Sequence, residues 1–232
     1  MREIVFDTET TGLNPAGGDR IVEIGCIEMV NRAETGRHFH AYFNPERAMP
    51  LGAEAIHGLT DIFLSDKPLF ADKVEELLEF IADSPLVAHN ASFDFGFLNH
   101  ELGLCGRPVV CTSRMVDTLA LARSRHPGAK HSLDALCMRF GVDRSHRVRH
   151  GALLDAQLLA QVYIELTGGR QIGLGLAEDT EDAGIAGVAG SVTVREPRVP
   201  RPHVAEIEEL ERHRAFISRL VDPLWARFTA AS

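Results

Sequence analysis

The sequence lacks several features that would indicate a secreted or membrane-bound protein. Its four cysteines form no Cys-x-x-Cys pair, and no apolar run reaches the roughly 18 residues that a membrane helix requires. The N-terminus also lacks the basic and then apolar stretches of a signal peptide. We therefore expect a cytoplasmic protein with reduced, packed thiols and without a membrane partner.

Positive charge is also scarce, because the chain of 232 residues carries a formal net charge of −9. Proteins that bind nucleic acid unaided usually present a basic surface. One stretch differs, since Arg123–His150 contains seven Lys and Arg residues and two acids. This stretch is either a source of phosphate contacts, with Arg147 and Arg149 as the residues to test, or a solvated basic loop.

Four acids and one histidine, distributed over three clusters, carry most of the chemical information in this chain. The clusters contain Asp7 and Glu9, then Asp94, then His150 and Asp155. Acids in apolar surroundings are costly to bury unless a positive charge compensates them. A pair of divalent cations would compensate four converging acids, and such a pair is typical of phosphoryl chemistry.

The local sequence predicts where each acid lies. Asp7 and Glu9 are two residues apart, so both face one side at the carboxyl end of a short core strand. Asp94 falls in the first turns of a helix that follows another short buried strand. Asp155 falls in the opening turn of a helix predicted over Ala152–Leu166, with a histidine just outside that helix.

Each position also has an ordinary structural interpretation. The first two acids could be solvated at a strand end, and Asp94 could simply complement the positive end of its helix. His150 could be a surface residue. Asp117 could be a fifth metal ligand, but it precedes a helix-forming segment, so we expect an N-cap there. The three clusters together favour the metal site.

The three clusters, in this order, resemble the motifs of the DEDD 3′→5′ exonucleases, in the subclass that has histidine in the third motif. Further segments resemble the proofreading (epsilon) subunits of bacterial DNA polymerase III, and the likeness extends from Met1 to Gly169. The resemblance implies a ribonuclease H-like α/β fold, with a mixed five-stranded sheet flanked by helices. The matching segments are Ile21–Gly25, Asn31-Arg32, His57-Gly58, His131–Cys137 and His150–Gln157.

The resemblance also implies roles for individual residues. His150 would take the proton from the attacking water, and His57 would lie near the bound 3′-terminal nucleotide of DNA. The products would be nucleoside 5′-monophosphates. Two Mg²⁺ or Mn²⁺ ions per active site would be held by Asp7, Glu9, Asp94 and Asp155, and the substrate would be contacted by Asp7, Glu9, His57 and Asp155.

The C-terminal quarter differs in composition from the rest. Gly168–Pro202 contains seven glycines, three prolines and no aromatic residue, so we predict a catalytic domain at 1–168, a flexible linker at 169–202 and a helical segment at 203–232. Within the linker, Gln171, Leu174 and Leu176 resemble a short peptide that binds the sliding clamp. A lone helix on a linker is marginal in water, and by resemblance its partner is the polymerase alpha subunit.

Two other functions remain open on sequence grounds. A free-standing nuclease of the same family, acting on RNA or single-stranded DNA, would use the same chemistry. An interaction module that has lost activity would belong to another class, although all five motif residues are present. The linker and the terminal helix favour a tethered proofreading exonuclease, since a small RNA-trimming enzyme needs neither.

Overall fold

The structure is a computed structural model that describes residues 1–145, 150–169 and 205–220. These residues belong to two separate units, one within residues 1–169 and one within residues 205–220. No helix in these ranges combines the length and the apolarity needed to cross a membrane. Several sequence predictions concern residues outside the described ranges, namely Arg147, Arg149, Gln171, Leu174, Leu176 and the linker from residue 170 onward.

A mixed five-stranded sheet forms the centre of the first unit, which confirms the fold expected from the sequence. Its strands are β1 (Arg2–Thr10), β2 (Ile21–Val30), β3 (Ala33–Tyr42), β4 (Leu86–Ala88) and β5 (Met115–Asp117). The spatial order is β3-β2-β1-β4-β5, so β1 is the central strand. The β1–β2 and β2–β3 pairs are antiparallel, whereas β1–β4 and β4–β5 are parallel.

Helices fill the connections and cover the sheet. The helix predicted over Ala152–Leu166 is confirmed in full. The apolar pattern of the sequence also predicts a helix over Pro68–Asp83, and the observed helix is two residues shorter at each end. The helices of the first unit are α1 (Leu51–His57), α2 (Asp61–Leu64), α3 (Phe70–Ile81), α4 (Ala91–Leu104), α5 (Thr118–Arg125), α6 (Leu133–Phe140) and α7 (Ala152–Leu166).

Alternation along β1 divides its side chains between two hydrophobic cores. Ile4 and Phe6 pack in the core that α3 and α4 complete, whereas Val5 packs in the core that α7 completes. Successive residues of a strand face opposite sides. Asp7 and Glu9 continue the series of Val5 and therefore lie on the α7 side of the sheet.

A buried ion pair fixes α4 against the start of β2. Arg20 donates two hydrogen bonds to the carboxylate of Glu101, at 2.8 and 2.9 Å, and the backbone N–H of Ile21 donates a third at 3.1 Å. Glu101 is fully buried. Because all three donors satisfy one carboxylate, the pair holds the helix in a single position on the sheet.

One aspartate organises the starts of two helices. Asp117 caps α5 through the N–H of Leu119 at 2.9 Å, as predicted, and it also accepts from the N–H of Asn90 at 3.1 Å. Asn90 occupies the N-cap position of α4, but its side chain forms no cap hydrogen bond and its φ is 64°. Asparagine at this position usually caps a helix through its side chain, but here the carboxylate of Asp117 takes that place.

The prediction for the cysteines is correct in one respect and wrong in another. No disulfide joins the four residues, and Cys26 and Cys137 are buried as expected. Cys105 is partly buried. Cys111 is exposed, because it lies in the irregular segment before a 3₁₀ turn rather than on a covered helix or strand.

Among the described residues, the second unit contains one helix, α8 (Ile207–Ile217), within the segment 203–232 that the sequence predicts to be helical. Glu206 and Glu209 form a capping box at its start, and Arg214 lies in its last turn. Acidic residues near the N-terminus and basic residues near the C-terminus favour the helix dipole. The rest of the predicted segment, from residue 221 onward, lies outside the described residues.

The double role of Asp117 leads to a stability prediction. Replacing Asp117 with alanine should lower the free energy of unfolding by about 1–2 kcal/mol, because one cap and a second helix start lose their acceptor. The Asp117→Asn control keeps an acceptor oxygen and should lose less stability. Urea unfolding measures the difference, and equal stability of the two variants would contradict the assignment. We expect Asp117→Asn still to bind Mn²⁺, because the described contacts of Asp117 are those of a helix cap.

Candidate active site

The first two predicted clusters meet at the carboxyl end of β1. Asp7 and Glu9 lie on β1 itself, where their partners across the strand pair are Gly25 and Glu23. Because β4 runs parallel to β1, the chain leaves β4 at the same edge of the sheet, and α4 begins there with Asp94 in its first turn. The sheet order therefore brings these acids together although they are far apart in sequence.

The third cluster reaches the same edge from the face of the sheet. Asp155 lies in the first turn of α7, and His150 lies just before that helix. All five residues predicted from the sequence line one cavity of about 290 Å³. Its walls are Asp7, Thr8, Glu9, His89, Phe93, Asp94, Ser132, Leu133, Asp134, His150 and Asp155.

Asp94 is a buried carboxylate that accepts a hydrogen bond from the side chain of Thr8. Burial raises the pKa of Asp94 to about 7. The hydroxyl of Thr8 donates a hydrogen bond to Asp94 Oδ1 at 2.7 Å, and this bond favours the ionised form. Thr8 faces α4 because it alternates with the two acids of β1. The sequence offered no signal for this contact.

Asp7 lies where the negative charges of the site accumulate. Burial raises the pKa of Asp7 well above its usual value, and the nearby carboxylates of Asp94, Glu9, Asp155 and Glu23 raise it further. A site that holds several acids this close together requires a cation for all of them to be ionised at neutral pH. Carboxylate oxygens are the ligands that hard divalent cations prefer.

The two residues of the third cluster, His150 and Asp155, contact each other. His150 Nδ1 lies 3.1 Å from Asp155 Oδ2, and the histidine is largely exposed whereas the aspartate is buried. One ligand atom from each of Glu9, His150 and Asp155 falls within 4.8 Å of the others. The carboxylates of Glu9 and Asp155 could therefore hold a metal ion, while the exposed imidazole of His150 can turn beside it.

A second, more apolar cavity of about 440 Å³ adjoins the first and shares Thr8, Glu9 and Phe93 with it. The sequence predicts that Phe93, Phe95 and Phe97 are core residues and not a platform for stacking bases. Phe95 and Phe97 are buried as expected, but Phe93 is only partly buried and separates the two cavities.

His57 lines this second cavity and not the cavity that contains the four acids. Burial lowers the pKa of His57, so its imidazole is neutral at neutral pH. The N–H of Leu59 donates to its Nδ1 at 3.0 Å, which places the proton on Nε2. That buried Nε2–H lies near the Thr10 carbonyl but forms no well-oriented hydrogen bond within the described residues.

Some residues that line the acidic cavity were not predicted as part of the site, among them Ser132, Asp134 and His89. Ser132 caps α6 and accepts a hydrogen bond from the N–H of Ala135, and Asp134 pairs with Arg144 at 3.0 Å. His89 also lines the cavity, and its Nδ1 lies 2.9 Å from the hydroxyl of Thr118. The only sequence signal was the family likeness of the segment around Ser132, which gave no indication of a position beside the acids.

Comparison with known proteins agrees with this geometry. An exonuclease family model (RNase_T) matches residues 4–163. DNA polymerase III subunit epsilon of Rickettsia felis is 50% identical over 226 residues, which cover 95% of this chain and 97% of the relative. The corresponding subunit of Salmonella typhimurium is 51% identical over 176 residues, which cover 73% of this chain and 72% of the relative.

This chain belongs to the exonuclease family of the DNA polymerase III epsilon subunits. The family assigned from the sequence motifs is thereby confirmed, and the protein is a 3′→5′ exonuclease. Among solved structures, exonuclease X in complex with 5′ overhanging duplex DNA is similar, with a TM-score of 0.56 at 29% identity, over 71% of this chain and 90% of that one. The likeness to the Rickettsia relative extends into the C-terminal quarter, beyond the range that the motifs indicated.

The raised pKa values of the exonuclease predict a pH-dependent response to metal. A carboxyl group whose folded pKa exceeds its unfolded pKa loses stabilising influence as pH rises through the folded value, here about 7 for Asp94. The metal-free protein should therefore lose stability from this site between about pH 4 and 7. Divalent cations bind the ionised form, so the rise in melting temperature caused by Mg²⁺ should grow from pH 5 to pH 8.

Differential scanning fluorimetry with Mg²⁺ or with EDTA measures this response. Asp94→Asn should raise the melting temperature of the metal-free protein at pH 8, because it removes one of the repelling charges. Glu79→Gln, an exposed substitution on α3, is the matched control and should change neither curve. A response to Mg²⁺ that is the same at pH 5 and pH 8 would contradict the proposed origin of the effect.

Proposed function

We propose that this exonuclease is the proofreading subunit of a bacterial replicative DNA polymerase, and that it removes mispaired 3′-terminal nucleotides as nucleoside 5′-monophosphates. The observation that carries the proposal is the convergence of four carboxylates and one histidine in a single cavity. It occurs in a chain that resembles an epsilon subunit over almost its whole length. The corresponding location is the cytoplasm, where a bacterial chromosome is replicated.

The four carboxylates are the proposed ligands of two Mg²⁺ or Mn²⁺ ions. The carboxylates of Asp94, Glu9, Asp155 and Glu23 all raise the pKa of Asp7, so Asp7 would be the ligand that both ions share. Glu9, Asp94 and Asp155 complete the set from β1, α4 and α7. Bound there, the ions would activate a water molecule and stabilise the attacking and leaving oxygens of the phosphodiester.

His150 is the proposed general base. An ionised carboxylate can only accept a hydrogen bond, so the 3.1 Å contact with Asp155 requires the proton of a neutral His150 to be on Nδ1. Its Nε2 then carries the lone pair that can accept a proton from water. Asp155 accordingly has two functions in this proposal, as a metal ligand and as the residue that fixes the tautomer of the base.

The second cavity is the proposed site for the sugar and base of the terminal nucleotide. Its wall is mainly apolar and adjoins the acids through Thr8, Glu9 and Phe93. His57 contributes an Nε2–H that is buried without a well-oriented acceptor, and such a donor gains free energy when a substrate oxygen accepts from it. Phe93 supplies an aromatic edge between the two cavities.

Selection for mispaired ends depends on how easily the terminal nucleotide leaves its duplex, and contacts that recognise individual bases are not needed. A terminal nucleotide must leave its duplex to enter the cavity, and a mispaired one leaves at lower cost. Proofreading must also act on every sequence, so contacts to the backbone suffice. The basic stretch that ends at His150 is the proposed source of phosphate contacts, with Arg147 and Arg149 as its members nearest to the site in sequence.

The C-terminal quarter is the proposed tether. The helical segment 203–232 would bind the polymerase alpha subunit, and Gln171, Leu174 and Leu176 would bind the sliding clamp. Two findings support a separate tether: α8 forms a unit of its own, and the likeness to the Rickettsia relative includes this part of the chain. A net charge of −9 also fits an enzyme to which a partner delivers the DNA.

Isolation of the tagged chain from its native host tests the proposed function directly. We expect a replicative polymerase to co-purify, and we expect the complex to release nucleoside 5′-monophosphates faster from mispaired than from paired DNA ends. The controls are an RNA substrate of the same sequence and a chain truncated after residue 204, which should lose the polymerase. Isolation of an active chain without a polymerase, or faster trimming of the RNA, would favour the free-standing nuclease instead.

Replacement of His150 tests the proposed base. His150→Ala should lower kcat by about 10²–10⁴-fold, the usual contribution of general base catalysis, while Mn²⁺ affinity changes by about twofold or less. His150→Gln retains a hydrogen-bonding side chain without a proton acceptor of suitable pKa and should be equally slow. Single-turnover kinetics and titration with Mn²⁺ provide the two readouts. Turnover close to that of the wild type in both variants would remove His150 from the mechanism.

A further inference from the structure

A residue without a side chain lies directly beneath the catalytic helix. Gly25 is the partner of Asp7 in the antiparallel pairing of β1 and β2, so a side chain there would point to the same face as the carboxylate of Asp7. That is the face on which α7 lies. A Cβ atom at Gly25 would come within 2.4 Å of Leu153 N and Cα, and within 2.5 Å of the carbonyl carbon of Ala152.

These neighbours are backbone atoms, and this decides the consequence. A flexible side chain could turn away from an added methyl group, but the backbone of a helix turn can only move as a whole. Carbon atoms make contact at roughly 3.5–4.0 Å, so the first turn of α7 would have to retreat by on the order of 1 Å. The rest of α7 resists this movement, because Ala156, Leu159 and Ala160 are buried against the sheet.

The turn that would move carries the third catalytic cluster. Asp155 N–H donates to the carbonyl of Gly151, so the proposed metal ligand belongs to the same turn as the two residues that a Cβ would meet. His150 precedes that turn immediately. Mg²⁺ requires nearly ideal octahedral geometry, and a displacement of 1 Å at a catalytic group costs roughly 10²-fold in rate.

We propose that Gly25 is a positioning residue of the catalytic centre, whose missing side chain sets the distance between the sheet and the first turn of α7 and thereby the separation of Asp155 and His150 from Asp7 and Glu9. The inference rests on the proposed metal site, which it deepens. Gly25 touches neither substrate nor metal, and it acts through the close approach of two backbones. The proposal explains why a glycine lies in the interior of a buried strand, where glycine is otherwise unfavourable.

The test is the full-length Gly25→Ala protein. We expect its affinity for Mn²⁺ to fall at least about tenfold and its kcat to fall about 100-fold, with KM for a single-stranded oligonucleotide changed by less than about threefold. KM should be nearly constant because neither Ala152 nor Leu153, the residues that a Cβ atom at Gly25 would meet, lines the cavity that contains His57. Titration calorimetry with Mn²⁺ and single-turnover kinetics measure these values.

Two controls separate positioning from loss of stability. Gly103→Ala adds a methyl group at a helical glycine of α4 that has no atom within 4 Å of the new Cβ, so Mn²⁺ affinity and kcat should be retained. Val74→Ala weakens the core on the opposite face of the sheet and should lower the melting temperature while metal affinity is retained. The proposal is overturned if Val74→Ala and Gly25→Ala lower the melting temperature equally and also lower Mn²⁺ affinity and kcat equally.

A stabilised background keeps the test decisive if Gly25→Ala folds poorly. Ala82 has a φ of 41°, a conformation that favours glycine, so Ala82→Gly together with Gly103→Ala should raise the melting temperature without touching the site. Gly25→Ala in this background should show the same losses of metal affinity and kcat. Retention of both would overturn the positioning role alone, whereas failure of the wild-type protein to bind Mn²⁺ would overturn the proposed metal site itself.

Discussion

Carboxylates repel one another at the carboxyl end of β1, and the elements around this site must hold them together against that repulsion. Four acids approach one another in a cavity where burial raises the pKa of Asp94 to about 7 and that of Asp7 well above its usual value. Such an arrangement is unfavourable for folding unless a cation offsets it. The repulsion between the acids therefore favours binding of a cation. The surrounding elements keep the acids together in spite of this repulsion.

The fold meets this constraint by bringing backbone elements close to one edge of the sheet. Parallel pairing of β1 with β4 places α4 beside the end of β1, and the bond between Arg20 and Glu101 keeps that helix in position. On the other face, the absence of a side chain at Gly25 admits the first turn of α7. Asp117 holds the start of α4 and completes α5 with one carboxylate. Each of these features restrains an element that carries a residue of the acidic cavity.

The sequence predicted those features that depend on local periodicity or on motifs. Asp7 and Glu9 on one strand face, Asp155 in the first turn of α7, and the five-stranded fold all follow from spacing or from family resemblance. The sequence could not predict contacts between distant elements, such as the hydrogen bond from the Thr8 hydroxyl to Asp94, the position of Ser132 in the cavity wall and the position of Phe93 between the two cavities. Asn90 illustrates the same limit. Asparagine at the start of a helix usually forms a side-chain cap, but here Asp117, at the end of β5, accepts a hydrogen bond from its backbone N–H instead.

Anomalous diffraction from crystals of the full-length protein, soaked with Mn²⁺ and a nucleoside 5′-monophosphate, would locate metal ions among the four carboxylates. We expect two anomalous peaks roughly 3.5–4 Å apart, bridged by Asp7 and surrounded by Glu9, Asp94 and Asp155. We also expect the phosphate of the nucleotide to contact both ions, with the base in the cavity that contains His57. Absence of Mn²⁺ from the four carboxylates at a saturating concentration would contradict a metal site there.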